Sequence, residues 1–270
     1  MVTEIDPAVV ARLRAAGCVF AEDEARLLTE AAATPAELER MVARRVSGEP
    51  LEPLLGWAEF CGLRILIDPG VFVPRRRTEF LVERAVALAP RDAVVVDLCC
   101  GAGAIGVAIT ARVGDGAVLV AADVDPAAVR CARRNVEPRG RVVEGDLYGP
   151  LPPELRGRVD ILAVNAPYVP TDDIPLMPPE ARLYEPAVAL DGGGDGLDVH
   201  RRVAAGAGEW LAPGGSLLIE TSARQASRTA ALFTAAGLDA RIERSEELDA
   251  TVVVATAGAG LAGRPRVRPA

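Results

Sequence analysis

Several residue types that support common catalytic chemistries are scarce in this sequence. All 30 basic residues are arginine, so there is no lysine for a Schiff base or for a phosphate-binding P-loop. His200 is the only histidine, which excludes a histidine-rich metal site and allows at most one Ser-His or Cys-His pair. The five cysteines form no Cys-x-x-Cys pair, and their odd number does not suit a disulfide framework. We therefore predict a protein without a metal site.

Long hydrophobic runs are also absent, and aromatic residues make up only 4% of the chain. Apolar runs such as Ala93 to Val96 are far shorter than the ~20 residues that a membrane span needs. The N-terminus, Met1 to Asp6, has acids where a secretory signal would have bases. A formal net charge of −8 argues against a broad nucleic-acid-binding surface. We expect a cytoplasmic, monomeric protein without a membrane or direct nucleic-acid partner.

The spacing of apolar residues divides the chain into three parts. Residues 1–48 carry them at three- and four-residue intervals, which predicts short amphipathic helices, and Thr34 to Glu37 has the pattern of a capping box. Residues 49–75 contain many prolines and glycines around two strand-like runs, which predicts a β-hairpin linker. In residues 76–270, apolar strands alternate with helices, which predicts a parallel sheet covered on both faces.

The third part also contains an unusually long connection. The predicted strands are 93–98, 117–122, 141–144, 159–164 and 215–220, with a final β-pair at 240–246 and 250–256. The predicted helices are 78–89, 103–112, 126–136, 197–211 and 224–236. About thirty proline-rich residues separate strand 159–164 from helix 197–211. Because loops of this length in compact domains are usually functional, we interpret this one as a lid that faces the substrate.

A glycine-containing turn follows the first strand of this part. The turn consists of Cys99, Cys100, Gly101, Ala102 and Gly103. Together with Gly106 and the later Asp123, its glycines match the pattern of a dinucleotide site. However, Asp97 lies at the end of the strand, where its carboxylate would oppose a pyrophosphate but would suit the ammonium group of an amino acid.

Two further predicted strands also end in acids. Asp123 can accept hydrogen bonds from both hydroxyls of a ribose, and Asp146 can accept one from an adenine amino group while Leu147 packs on the ring. Adenosine and an amino acid together describe S-adenosylmethionine. In the competing interpretation each acid only caps a helix, but acids at three successive strand ends weaken it. We predict a cofactor site that contains Asp97, residues 99–103, Asp123, Asp146 and Leu147.

The fourth strand is followed by Asn165, Ala166, Pro167 and Tyr168. The Asn165 side-chain oxygen and the Ala166 carbonyl can accept the two hydrogens of a planar NH₂ group, while Tyr168 covers its flat face. Such a nitrogen is a poor nucleophile because its lone pair is conjugated. Two acceptors bind it more strongly as it becomes pyramidal and positive, which stabilises the transition state. We predict that these four residues receive the methyl acceptor.

With these motifs, the chain resembles the HemK/PrmC family of protein-(glutamine) methyltransferases, which methylate the glutamine amide in the Gly-Gly-Gln motif of peptide-chain release factors. The resemblance covers roughly residues 40 to 225. Its motifs include Gly48 to Leu51, Asp68 to Val71, Asp97 to Gly103, Asp123 to Pro126, Asn165 to Tyr168, Asp195 to Asp198 and Leu211 to Gly215.

The resemblance implies a class I S-adenosylmethionine-dependent methyltransferase fold, Rossmann-like, with a seven-stranded, mostly parallel sheet and a small N-terminal helical domain. It implies that Asn165 also lines the cofactor site. It further implies that the N-terminal helices help to recognise a protein substrate, with a release factor as the expected partner.

The sequence departs from the family pattern at several motifs. Ala166 replaces the first proline of Asn-Pro-Pro-Tyr, Arg76 and Arg77 interrupt Pro-Arg-Pro-Glu-Thr-Glu, and Cys99 stands where glycine is usual. Residues 220–222 replace Glu-Ile-Gly, and a C-terminal Asp-Leu-Ala-Gly signature is absent. We interpret the chain as a divergent paralogue. Alternative functions are methylation of an adenine amino group in nucleic acid, methylation of a small molecule, or cofactor binding without turnover.

Overall fold

The computed structural model describes residues 5–137 and 139–258, so the ends of the predicted first and last domains lie outside the described residues. The described part of the chain begins with four helices: α1 (Pro7–Ala15), α2 (Ala21–Ala31), α3 (Pro35–Val46) and α4 (Leu51–Leu55). The Glu37 N–H donates to the Thr34 hydroxyl, and the Glu37 carboxylate accepts the Ala33 N–H. The predicted capping box therefore forms, with its return bond shifted by one residue.

The N-terminal helices have a hydrophobic core of their own. Leu13, Leu28 and Val42 are fully buried within it. Leu54 and Leu55 of α4 pack against the same core, although their segment is predicted as part of a hairpin linker. The helical part thus continues beyond residue 48, because α4 adds its apolar side chains to this core.

The predicted hairpin forms between β1 (Trp57–Phe60) and β2 (Leu63–Leu66), which pair in antiparallel fashion. Its two turn residues, Cys61 and Gly62, both have positive φ, as a tight hairpin turn requires. Phe60 is fully buried in the core of the following sheet domain. The hairpin therefore packs with the C-terminal part of the chain.

Seven strands form the main sheet, in the order β5-β4-β3-β6-β7-β9-β8. They are β3 (Val94–Leu98), β4 (Val118–Asp123), β5 (Gly140–Glu144), β6 (Val159–Val164), β7 (Leu211–Glu220), β8 (Asp239–Ser245) and β9 (Ala250–Thr256). In the described residues, β9 runs opposite to the other strands of this sheet, so its pairings with β7 and β8 are antiparallel and the remaining pairings are parallel. The prediction of a seven-stranded, mostly parallel sheet is confirmed. The strand order reverses beside β3, which is where such sheets bind ligands.

Helices cover both faces of the sheet, as predicted. They are α5 (Glu79–Leu88), α6 (Ala104–Val113), α7 (Pro126–Val136), α9 (Asp198–Trp210) and α10 (Ala226–Ala235), whereas α8 (Pro179–Tyr184) lies in the connection before α9. Val95 belongs to the hydrophobic cluster that contains α5, α6 and α7, whereas Val96 belongs to the cluster that contains α9 and α10. Successive strand residues thus enter opposite cores, which explains why the strands are continuously apolar.

The long connection between β6 and α9 lies across the carboxyl ends of the strands. It contains α8 and short 3₁₀ segments. Val169 and Leu190 hold its two ends together through a backbone hydrogen bond of 3.0 Å, and the Gly192 N–H donates to the Val169 carbonyl at 2.8 Å. Within the described residues, no helix is long and apolar enough to cross a membrane.

Candidate active site

A cavity of about 760 Å³ opens at the carboxyl ends of β3, β4, β5 and β6. Its size is within the range of small-molecule sites. Most residues that the sequence analysis assigns to the cofactor or to the methyl acceptor line it: Cys99, Cys100, Gly101, Ala102, Asp123, Asp146, Leu147, Asn165, Ala166, Pro167 and Tyr168. The fold therefore brings together side chains that are far apart in the sequence.

The turn after β3 forms one wall of the cavity. Cys99, Gly101 and Gly103 all have positive φ, a conformation that costs a cysteine more than a glycine. Gly103 lies behind this wall, where an added Cβ would stand 2.8 Å from Val136 Cγ2. Asn135 supports the turn from behind by donating to the Ala102 carbonyl at 2.9 Å.

Asp123 holds the same turn from the next strand. Its Oδ2 accepts the Gly101 N–H at 2.8 Å, and its Oδ1 accepts the Asp125 N–H at 2.9 Å. Burial raises the pKa of Asp123 above its ordinary value, and the two backbone donors oppose this rise. Each oxygen keeps a further acceptor position, so two neighbouring hydroxyls could still bind there.

Asp97 does not reach the surface of the cavity. Its side chain is fully buried below the turn, where Oδ2 accepts the Gly106 N–H at 2.8 Å. Among the described residues, nothing donates a hydrogen bond to Oδ1. Burial raises the pKa of Asp97 to about 7. Asp97 thus lies beneath the start of α6, whereas its position at a strand end predicts that it faces a ligand.

Leu147 and Asp146 lie at the end of the cavity below β5. Leu147 has φ of +46° and presents a largely buried side chain. The half-exposed carboxylate of Asp146 pairs with the guanidinium of Arg202 on α9, which also lines the cavity. Sequence reasoning missed Arg202, because its helix follows the long connection and no local motif links it to Asp146.

The turn after β6 forms the opposite wall. Ala166 is almost fully buried, whereas Asn165 is half-buried. The Tyr168 hydroxyl accepts a hydrogen bond from Arg77 at 2.9 Å and donates one to Glu220 at 3.2 Å. Burial raises the pKa of Tyr168 to about 12, so its hydroxyl stays neutral and can donate at physiological pH. This short turn thus places Asn165, Ala166 and the Tyr168 ring along one wall of the cavity.

The segment between β2 and α5 and the long connection after β6 close the remaining part of the cavity. Nη2 of Arg75 donates to both oxygens of Glu185, at 2.6 and 2.7 Å, and the guanidinium lies 4.8 Å from the centre of the Phe72 ring. Glu185 is buried, which raises its pKa, and Arg75 opposes this rise. This ion pair fastens the segment before α5 to the connection after β6.

Comparison with known proteins is consistent with this arrangement. The family model for the methyltransferase small domain matches residues 62–177. A release factor glutamine methyltransferase of Geobacter sulfurreducens is 42% identical over 200 residues, covering 73% of this chain and 69% of its own. One of Cereibacter sphaeroides is 37% identical over 265 residues, covering 90% of this chain and 92% of its own. The chain belongs to the release factor glutamine methyltransferase family.

Other relatives broaden this comparison. A 4-amino-L-phenylalanine/4-methylamino-L-phenylalanine methyltransferase of Streptomyces pristinaespiralis is 39% identical over 204 residues, covering 73% of this chain and 69% of its own. A methyltransferase structure from Pyrococcus furiosus gives a TM-score of 0.55 at 17% identity, over 73% of this chain and 90% of that one, and this likeness supports the fold alone. Membership of this methyltransferase family makes S-adenosylmethionine the methyl donor.

Proposed function

We propose that the chain transfers a methyl group from S-adenosylmethionine to the side-chain amide nitrogen of a protein glutamine. We further propose that this glutamine belongs to the Gly-Gly-Gln motif of a peptide-chain release factor. One observation carries this proposal: the turn Asn165–Tyr168 lines the same cavity as the turn after β3, Asp123 and Leu147. An acceptor bound at the first turn would lie beside a cofactor bound at the others.

The residues present suit the cofactor. Asp123 would accept the ribose hydroxyls, Leu147 would pack on the adenine, and Asp146 would accept from its amino group. The turn 99–102 would border the amino acid portion, and Asp97 would hold the start of α6, which follows this turn, through Gly106. When bound, the cofactor supplies an electrophilic methyl group on a sulfonium. The protein then has to hold the acceptor nitrogen in line with it and to exclude water.

The acceptor turn would activate the amide through its oxygens. Asn165 and the Ala166 carbonyl accept the two N–H groups, and these hydrogen bonds strengthen as positive charge develops on nitrogen. Tyr168 restricts the amide plane. His200 is not required, since it is buried between α9 and α10 with Nδ1 3.0 Å from the Thr229 hydroxyl. The acceptor at residue 166 is a backbone carbonyl oxygen, so it is present whether this residue is the proline of the family motif or alanine.

A second candidate is methylation of an aromatic amine in a small molecule. The name of the Streptomyces pristinaespiralis relative describes such a substrate. An aniline nitrogen and an amide nitrogen are both planar with a conjugated lone pair, so one pair of acceptors suits either. We favour the protein substrate, with the N-terminal helices in its recognition. Action in the cytoplasm, as a monomer without nucleic acid, stays a prediction.

Incubation with a release factor and S-adenosylmethionine tests the proposal. Mass spectrometry of the Gly-Gly-Gln peptide is expected to find one added methyl group that depends on the enzyme. A parallel incubation with 4-amino-L-phenylalanine distinguishes the second candidate. Methylation of the small molecule together with an unmodified glutamine would contradict the proposed substrate.

Two asparagine variants test the assigned roles. We expect Asn165→Ala to lower kcat by about a hundredfold, the scale for losing one preorganised polar group, with little change in cofactor Kd. Asn135→Ala is the matched control, because Asn135 supports the cofactor turn from behind. It should weaken cofactor binding more than it lowers kcat. Equal kcat in Asn165→Ala and the parent would refute the role of Asn165.

A further inference from the structure

Three side chains from distant segments meet behind the acceptor turn. Arg77 lies in the 3₁₀ turn Arg76–Thr78 before α5, Tyr168 ends the turn after β6, and Glu220 ends β7. Arg77 Nη2 donates to the Tyr168 hydroxyl at 2.9 Å, and Arg77 Nε donates to Glu220 Oε1 at 3.1 Å. The Tyr168 hydroxyl donates to the same Glu220 oxygen at 3.2 Å. The three groups form a closed triangle of hydrogen bonds.

We propose that Arg77 and Glu220 are positioning residues that clamp Tyr168, and that this clamp supplies stiffness that the acceptor turn lacks with Ala166 in place of proline. This inference rests on the proposed function. It extends that function by assigning a role to two residues outside the acceptor turn. One of them, Arg77, is itself a departure from the family motif before α5.

The chemistry of the triangle allows only one arrangement of hydrogen bonds. Arginine only donates and an ionised glutamate only accepts, so the Tyr168 hydroxyl must accept from Arg77 and donate to Glu220. Glu220 is buried with a side-chain exposure of 2%, whereas Arg77 is 45% exposed. A buried carboxylate is retained where an opposite charge and hydrogen bonds compensate it. Arg77 thus places an opposite charge beside the buried carboxylate whose Oε1 also binds the tyrosine hydroxyl.

Tyr168 is also held at its backbone. Gln225 Nε2 donates to the Tyr168 carbonyl at 2.9 Å, so the residue is held both at its backbone and at its side-chain hydroxyl. By contrast, among the described residues, the Ala166 N–H donates no hydrogen bond. A proline at residue 166 would therefore fix φ at this position without removing a hydrogen bond, whereas alanine leaves φ free. The clamp therefore restrains the end of the turn at Tyr168, two residues after the Ala166 N–H that has no partner in the described part of the chain.

Arg77 also borders the cavity, so a direct contact with the substrate must be distinguished from action through Tyr168. Adding Arg77→Met to Tyr168→Phe separates the two, because the phenylalanine lacks the hydroxyl that Arg77 holds. If Arg77 acts through Tyr168, the double variant has the same kcat as Tyr168→Phe alone. A further loss of kcat in the double variant would contradict the clamp.

The main test compares Arg77→Met with Arg76→Met on the full chain, using the release factor as substrate. Arg76 is the exposed neighbour outside the cavity lining, and its variant should keep the parent kcat. We expect Arg77→Met to lower kcat by about tenfold, with cofactor Kd unchanged, because misplacing a positioned group lowers rate. Arg77→Lys keeps the charge beside Glu220 and therefore the fold, so its loss of kcat should be smaller than that of Arg77→Met. Some loss should remain, because lysine cannot bind Tyr168 and Glu220 with the planar fork of an arginine.

The variant Ala166→Pro tests whether the clamp compensates for the missing proline. If the clamp and a proline stiffen the same turn, this change should raise kcat several-fold more in the Arg77→Met background than in the parent. Equal factors in both backgrounds would overturn the compensation. A kcat for Arg77→Met as high as that of Arg76→Met would overturn the clamp.

A measurement without substrate separates this inference from the proposed function. The ¹⁹F resonance of 3-fluorotyrosine at Tyr168, assigned by its loss in Tyr168→Phe, should change in Arg77→Met but not in Arg76→Met. A parent protein that does not methylate glutamine overturns the proposed function. The fluorine spectra then still decide whether Arg77 holds the ring, and identical spectra in all three proteins would overturn that too.

Discussion

Asp97 is an unusual residue in this fold, since its carboxyl group is fully buried and one of its oxygens has no hydrogen-bond partner among the described residues. Its pKa is raised to about 7 in the folded protein, mainly by burial, against about 3.9 for an unfolded chain. Between these values the folded protein holds a proton that the unfolded chain has released. The contribution of Asp97 to the free energy of unfolding therefore falls as pH rises from about 4 to 7.

His200 has the opposite effect over nearly the same range. Burial lowers its pKa to about 4, against about 6.5 when unfolded. Between these values the unfolded chain holds the extra proton, so the contribution of His200 to the free energy of unfolding rises with pH. The two buried groups therefore offset each other, and the pH profile of the parent hides both contributions.

Two substitutions should separate these contributions. Asp97→Asn mimics the protonated acid, so we expect it to raise the free energy of unfolding at pH 7, by at most about 4 kcal/mol for a shift of roughly three units. His200→Gln should make stability fall more steeply with rising pH. Denaturant titrations at pH values from 4 to 7 measure both effects. Parallel profiles for Asp97→Asn and the parent would contradict this account.

Among single residues, those that belong to a local sequence motif could be predicted, whereas the residues that contact them from distant parts of the chain could not. Asp123 and Asn165 could be found because each directly follows a recognisable strand. Arg77 is 91 residues before Tyr168 and 143 before Glu220, so no local pattern indicates that they meet. Asp97 was found as an acid at a strand end, but its burial depends on how α6 packs over β3.

At the scale of elements, continuous apolar strands and amphipathic helices made the main sheet predictable. The exceptions are elements whose stability comes from packing rather than from their own pattern. Helix α4 has five residues, begins after a proline and ends at Gly56, and it was missed within a proline-rich stretch. Strand β7 begins at Leu211, four residues before the predicted start at 215, although residues 213–215 are typical of a turn.

Two helical glycines give a matched prediction about element packing. An added Cβ at Gly106 in α6 would lie 2.6 Å from Leu119 Cδ1 and 3.1 Å from Asp97 Oδ2, all in the core. We expect Gly106→Ala to lower the free energy of unfolding by about 1–3 kcal/mol through overpacking. Gly208 in α9 is exposed and has open space, so Gly208→Ala should raise it by about 0.5–1 kcal/mol.

Chemical denaturation of both variants tests this pair, and circular dichroism verifies that each retains its helices. Stabilisation by Gly106→Ala would show that α6 can move away from β4 at little cost. Such a result would also weaken the view that close packing of α6 fixes the Asp97 hydrogen bond and the cofactor turn.

At the scale of the whole molecule, one arginine connects the N-terminal helices to the connection above the cavity. Arg45 of α3 pairs with Glu24 of α2 and with Glu180 of α8, each at 2.6 Å. Arg45 and Glu24 are mostly buried, whereas the side chain of Glu180 is half-exposed. Since Glu180 also lines the cavity, this ion pair couples the predicted substrate-recognition helices to the wall of the site.

Glu180→Gln removes the charge on the exposed side of this link and leaves the Arg45–Glu24 pair intact. Because exposed ion pairs contribute about 0–1 kcal/mol, the free energy of unfolding should barely change. The release factor, however, would meet a less fixed surface, and we expect its KM to rise by up to about fivefold, equivalent to about 1 kcal/mol. Cofactor Kd should not change.

Steady-state kinetics with varied release factor concentration measure this KM. Glu30→Gln is the control, because Glu30 pairs with Arg26 within α2. If both variants have the same KM, Arg45 only stabilises the fold, and the N-terminal helices recognise substrate without help from α8.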